Sequence, residues 1–147
     1  MARISAPLQV PAPVEAAFDH VADFTTSAEW DPGITAARRL DDGPIGLGSR
    51  FEVRLALGPV TVPLVYEITT YERPHRVVLT TRGALHRGED DVRFAATEQG
   101  TEVTWNALFA LRGPGLLVDP LLGVGFRRTA DKAVEGLERS LRALTTD

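Results

Sequence analysis

GTEVTWNALFALRGPGLLVDPLLGVGFRRTADKAVEGLERSLRAL, residues 100–144, changes its hydrophobic period halfway along, and that change decides the fold. Val103, Trp105, Ala107, Phe109 and Leu111 alternate with Glu102, Thr104 and Asn106, the period of two of a strand with one apolar and one wet face. Gly113 to Val118 is an apolar lead-in. Asp119-Pro120 then reads as an N-cap followed by a proline suited to a first helical turn. Beyond it Phe126, Ala130, Ala133, Val134, Leu137, Leu141 and Leu144 form one stripe at helical spacing. Arg127, Arg128, Asp131, Lys132, Glu135, Glu138, Arg139 and Arg142 take the other side. A half-apolar strand followed by a long amphipathic helix predicts a helix laid over the apolar face of a sheet.

Upstream, the period of two begins at residue 34 and holds for about eighty residues, with turn signals at Asp41–Gly48, Gly58-Pro59, Arg73-Pro74, Arg82–Gly88 and Gln99-Gly100. These divide the stretch into six strands. Phe51, Val53, Leu55 and Leu57 alternate with Arg50, Glu52 and Arg54; Tyr66 and Ile68 alternate with Glu67 and Thr69. One more strand precedes them, where Ile4, Ala6, Leu8 and Val10 alternate with Arg3, Ser5 and Gln9 until Pro11 and Pro13 stop it. Pro13 suits the first turn of a helix with Val14, Ala17, Phe18 and Val21 on its apolar side and Glu15 near the positive end of its dipole. Thr26-Ser27-Ala28-Glu29 has the capping-box pattern and opens a second short helix, which Asp31-Pro32-Gly33 ends. The expected class is α+β: a seven-stranded curved antiparallel sheet, two short helices, and one long C-terminal helix packed across it.

Composition narrows the function. At 147 residues, 44 % hydrophobic and 24 % charged, the chain fits a single domain, 1–147, that buries about two-thirds of its unfolded surface. No apolar run approaches the ~18 residues of a spanning helix, so no integral membrane segment is expected. Sixteen basic against twenty acidic residues leave a net charge of −4, which offers no broad positive surface for nucleic acid. The chain has no cysteine, which removes disulfides, thiolate catalysis and cysteine-based zinc sites. Met1 to Pro7 lacks the apolar core of a secretory signal, and a cytoplasmic location is the expectation.

The order of elements, together with Pro11-Ala12-Pro13-Val14-Glu15-Ala16-Ala17-Phe18-Asp19-His20-Val21-Ala22-Asp23-Phe24, Trp30-Asp31-Pro32-Gly33, the loop Gly43-Pro44-Ile45-Gly46-Leu47-Gly48 and Gly100-Thr101-Glu102-Val103-Thr104-Trp105, resembles the helix-grip fold of the SRPBCC superfamily. That superfamily groups START lipid-transfer domains, birch-pollen-allergen-like proteins and bacterial polyketide cyclase/dehydrase proteins, and the chain looks most like the last branch. The resemblance covers nearly the whole chain. It implies a pocket between the curved sheet and the terminal helix, but one scaffold hosts carriers, cyclases, regulators and stress proteins, so the fold alone does not name the chemistry.

Inward parity selects the pocket candidates: Phe51, Val53, Leu55, Tyr66, Leu79, Phe94, Trp105 and Phe109 from the sheet, Leu122, Phe126 and Ala130 from the helix, and Trp30 near the mouth. The same side chains would equally build a solid core. Gly123 and Gly125, inside the expected helix, favour space beside it. Tyr66 is the clearest polar candidate, able to orient a carbonyl or donate a proton. His20, His75 and His86 read as exposed, with His86 in the loop before the sixth strand and the only one of the three placed at a pocket rim. Glu89-Asp90-Asp91 reads as a solvated acidic run, not a metal site. Residues 43–48 lead into a strand and lack the helix N-terminus of a phosphate loop.

Three readings of function follow. The first is a binder of an apolar small molecule, aromatic, polycyclic or lipid-like, acting as a monomer or homodimer. The second is a cofactor-independent cyclase or dehydratase in which Tyr66, helped by His86, moves a proton and the pocket supplies proximity. The third is a protein-interaction or stress-response module, against which the charged outer face of the strands argues. No metal, nicotinamide or flavin is expected, because no ligand cluster or nucleotide loop is in the sequence.

Overall fold

The computed structural model describes the backbone of residues 2–57, 59–83, 86–111 and 119–144, with the side chains of 2–6, 57, 111 and 119–130 outside that description. In chain order the elements are β1 (Ala2–Val10), α1 (Val14–Ala22), a 3₁₀ turn (Phe24–Thr26), α2 (Ser27–Trp30), β2 (Ile34–Arg39), β3 (Arg50–Leu57), β4 (Val60–Glu72), β5 (Arg76–Arg82), β6 (His86–Thr97), β7 (Gly100–Leu111) and α3 (Asp119–Ala143). The seven strands form one sheet in the order β1-β7-β6-β5-β4-β3-β2, antiparallel throughout, as the alternation predicts.

Two register shifts, between Ile34 and Ala36 and between Ile68 and Thr70, interrupt the ladders. A bulge bends a strand and resets which face its side chains take. Leu64, Tyr66 and Ile68 point inward, whereas beyond the bulge it is Tyr71 that packs inside, 5.3 Å from Phe18. Among the described residues β5 pairs with β4 only from Tyr66 onward, so Pro63 lies on a stretch of β4 that β5 does not pair, where its missing N–H is tolerated.

Residues of the Gly100-to-Trp105 motif hold the corner between sheet and first helix. Gly100 has φ +139, and a Cβ there would lie 2.3 Å from the Val10 carbonyl oxygen. Next to it the buried Thr101 hydroxyl donates to the Ala12 carbonyl at 2.7 Å. Above this corner Phe18 of α1 meets Phe94 edge to face at 5.3 Å. Ala133, Leu137 and Leu141 bring α3 into the same core with Val134 half-buried beside them, whereas Leu144 falls just past the helix end and is 36 % exposed; the side chains of Phe126 and Ala130 lie outside the described residues. The outer face carries ion pairs such as Arg38–Glu52, Arg50–Glu67 and Arg76–Asp91.

Three local expectations need correction. The Thr26 side chain does not cap α2; its hydroxyl donates to the His20 carbonyl at 2.8 Å and accepts from Trp30 Nε1 at 3.3 Å, while Asp23 caps the 3₁₀ turn that runs directly into α2. His20 is half-buried, not exposed, because Ser140 of α3 lies against it, its Oγ 2.6 Å from the His20 Nε2. His86 is also half-buried instead of exposed, and it opens β6 instead of sitting in the loop before it. The lead-in Gly113 to Val118 lies outside the described residues.

Candidate functional site

The inner face of the sheet reads in rows across the strands. One row runs Phe51, Tyr66, Thr81, Gly88 and Phe109; the next runs Ile68, Leu79, Asp90 and Ala107. Because Val92 and Phe94 point inward, so must Asp90 and Gly88, two and four residues before Val92. The acidic run is therefore split by the strand. Asp91 faces outward and pairs with Arg76 at 3.0 Å, Glu89 is exposed, and Asp90 is only 9 % exposed. The expectation of a solvated run fails at Asp90, the one buried acidic or basic side chain among the described residues.

Asp90 is built into an aromatic setting. Trp105 Nε1 donates to its Oδ2 at 3.3 Å, and Trp30 meets Trp105 edge to face with ring centroids 5.5 Å apart. Trp30, expected near the mouth, is buried beneath α3. Directly after it, Asp31 accepts from the Gly33 N–H at 2.8 Å in the turn that ends α2. Burial pushes the Asp90 carboxyl up to about 7, with the negative charge of Asp31 adding to the shift. Burial likewise pushes Asp31 up to about 6. The Tyr66 phenol is held well above its ordinary value by burial and by both carboxylates, which makes it a hydrogen-bond donor at neutral pH and a poor source of protons.

No buried side-chain nitrogen or oxygen among the described residues lacks a hydrogen-bond partner. Yet the hydroxyl of Tyr66 and Oδ1 of Asp90 enter none of the hydrogen bonds of the described residues. Both atoms must therefore open onto accessible space, although their residues are only 7 % and 9 % exposed. Among the described residues neither atom has a hydrogen-bond partner.

The remaining candidates divide by place. Phe51 and Tyr66 pack against Phe24 at 6.3 and 5.0 Å, Val53 and Leu79 are fully buried, and Leu55 is half-buried at the edge of the core. Phe94 lies under α1, away from Tyr66, in the cluster with Phe18. His86 stacks on Phe109 at 6.1 Å with its Nε2 3.1 Å from Thr81 Oγ1, which puts it at the end of the inner face beside Gly88. The side chains of Leu122, Phe126 and Ala130, and the surroundings of Gly123 and Gly125, lie outside the described residues. Among the described residues no group of three or more histidine, aspartate or glutamate side chains is placed to hold a metal ion, and no helix is long and apolar enough to cross a membrane. The loop 43–48 is a turn, tied down by Arg39 through the Gly43 and Pro44 carbonyls.

Comparison with known proteins identifies the class to which a fold of this kind belongs. Over residues 1–147 the chain matches, and belongs to, the family described as polyketide cyclase / dehydrase and lipid transport. Solved structures share the fold over almost its full length. One from Thermus thermophilus has a TM-score of 0.79 at 18 % identity, covering 98 % of this chain and 99 % of that one. A START superfamily protein from Mycobacterium smegmatis has 0.78 at 15 %, covering 99 % and 100 %. The Zhui aromatase/cyclase of a Streptomyces species has 0.75 at 11 %, covering 95 % and 92 %. A comparison with curated protein sequences finds no match.

Proposed function

We propose that the protein binds an apolar small molecule, aromatic, polycyclic or lipid-like, between the inner face of the sheet and α3. The observation that carries this reading is the pair of buried polar atoms, Tyr66 hydroxyl and Asp90 Oδ1, that open onto accessible space within an apolar wall. Sites for small molecules combine such walls with a few convergent polar groups. Membership of a family described by cyclase, dehydrase and lipid transport members supports the same class of ligand.

A cyclase or dehydratase acting in the same place is the second reading, and Asp90 is what favours it. A buried carboxyl poised near neutrality beside a phenol is suited to hold and return a proton. In that reading Asp90 takes the proton-transfer role, Tyr66 orients a carbonyl, and His86 stands at the rim. Native mass spectrometry of protein purified without detergent tests the binding reading: a stoichiometric apolar adduct released by organic solvent is expected. An adduct-free spectrum that stays so after incubation with apolar extracts speaks against it.

A further inference from the structure

The two oxygens of Asp90 are not equivalent. Oδ2 accepts the Trp105 indole N–H at 3.3 Å, and Oδ1 has no partner among the described residues. The groups around this carboxyl are Asp31 after α2, Tyr66 on β4, and Glu89 and His86 on its own strand. His86 is already engaged with Thr81, and the register partners on β5 and β7, Leu79 and Ala107, are uncharged. The inward described side chains of α3, Ala133 and Leu137, are uncharged too. Among the described residues no arginine or lysine is buried. With Asp90 buried and no buried cation among the described residues to compensate its charge, the neutral form is favoured. In that form the hydrogen belongs on Oδ1, because Oδ2 is occupied as an acceptor.

We propose that Asp90 is the polar anchor of the ligand, its protonated Oδ1 donating to a carbonyl oxygen of an uncharged apolar molecule, so that the site takes ketones or esters and turns away carboxylates of the same body. The proposal rests on the binding reading above and names the ligand class within it. An anionic end group would be desolvated beside Asp90 and Asp31, with no buried arginine or lysine among the described residues to receive it.

Calorimetric titration with naphthalene, 2-acetonaphthone, 2-naphthoate and 2-naphthylmethylammonium separates the possibilities. At about pH 6 the ketone is expected to bind about tenfold or more tighter than the carboxylate. Its affinity is expected to fall as the pH rises through about 7. Asp90→Asn, whose amide keeps a donor at every pH, is expected to retain the ketone and lose the pH dependence. Equal or tighter binding of 2-naphthoate, tightest binding of the ammonium probe, or a wild-type ketone affinity indifferent to pH would each overturn the proposal. The wild-type series decides even if the variant does not fold. If naphthalene and ketone both fail to bind, the binding reading itself falls; if naphthalene binds without any preference among end groups, the anchor alone falls.

Discussion

A carboxyl group between Leu79 and Ala107 and under the Trp105 indole is costly to ionise, and that cost acts on folding as well as on ligands. Asp90 sits at about 7 in the folded chain against 3.8 ordinarily, so the folded state holds the extra proton between those values. Its contribution is fully present below the lower value and is lost as the pH rises through about 7. The loss amounts to roughly a few kcal/mol at about 1.4 kcal/mol per pH unit. Asp31 acts in the same direction and completes its loss near 6. His20, held below 6.5 by burial, works oppositely and costs stability as the pH falls beneath that value. Thermal melts of wild type and Asp90→Asn should therefore diverge with pH, the variant gaining on the wild type from about pH 4 to about pH 7 and the difference levelling off above that. A constant difference across that range would mean that Asp90 is not held in its neutral form. Parity alone made Asp90 legible, since Val92 and Phe94 fix the inward set of β6; reading three acidic residues as one run hid it. Tyr66 was legible for the opposite reason, because its neighbours Glu67 and Thr69 leave it no other face.

At the scale of elements, the approach of α2 to α3 fixes where the tryptophan pair stands. A Cβ on Gly136 would lie 2.1 Å from the Trp30 carbonyl oxygen, a backbone atom that cannot step aside without moving α2. Gly136→Ala should force the two helices apart, cost ~1–3 kcal/mol of stability, and weaken the near-ultraviolet circular dichroism from the Trp30–Trp105 contact. Gly46→Ala is the matched control, with nothing within 4 Å of its Cβ, and should stay within about 0.5 kcal/mol of wild type. Equal melting temperatures for the two variants would contradict the close crossing. The strands were readable because turn residues punctuate an alternation that one buried face imposes, and the long helix because its stripe is continuous. Less readable were the ends: His86 begins a strand although the turn residues around it suggest a loop, and the Thr26 hydroxyl serves His20 and Trp30 instead of a cap. His86 is drawn into the strand by its pairing with Leu111 of β7, a partner distant in sequence that local pattern does not carry, while the Thr26 hydroxyl is diverted by near neighbours that the capping pattern does not weigh.

For the molecule as a whole, charge and polarity are segregated. The outer sheet face is laced with ion pairs, while among the described residues the inner face is mainly apolar, with Asp90, Tyr66, Thr81, Thr101 and His86 as its polar groups. Sequence order and family both point to the scaffold, and neither separates a carrier from a cyclase, because the same aromatic wall serves both. Trp30 and Trp105 are 4 % and 3 % exposed, so under the proposed binding reading their emission would report a ligand that enters beside them. The most direct measurement is a titration with N-phenyl-1-naphthylamine, an uncharged apolar dye, following energy transfer from tryptophan. A saturable loss of tryptophan emission, matched by dye emission at a single dye per chain, is the expected result. Unchanged tryptophan emission from folded protein at dye concentrations near the solubility limit would contradict an interior open to apolar molecules.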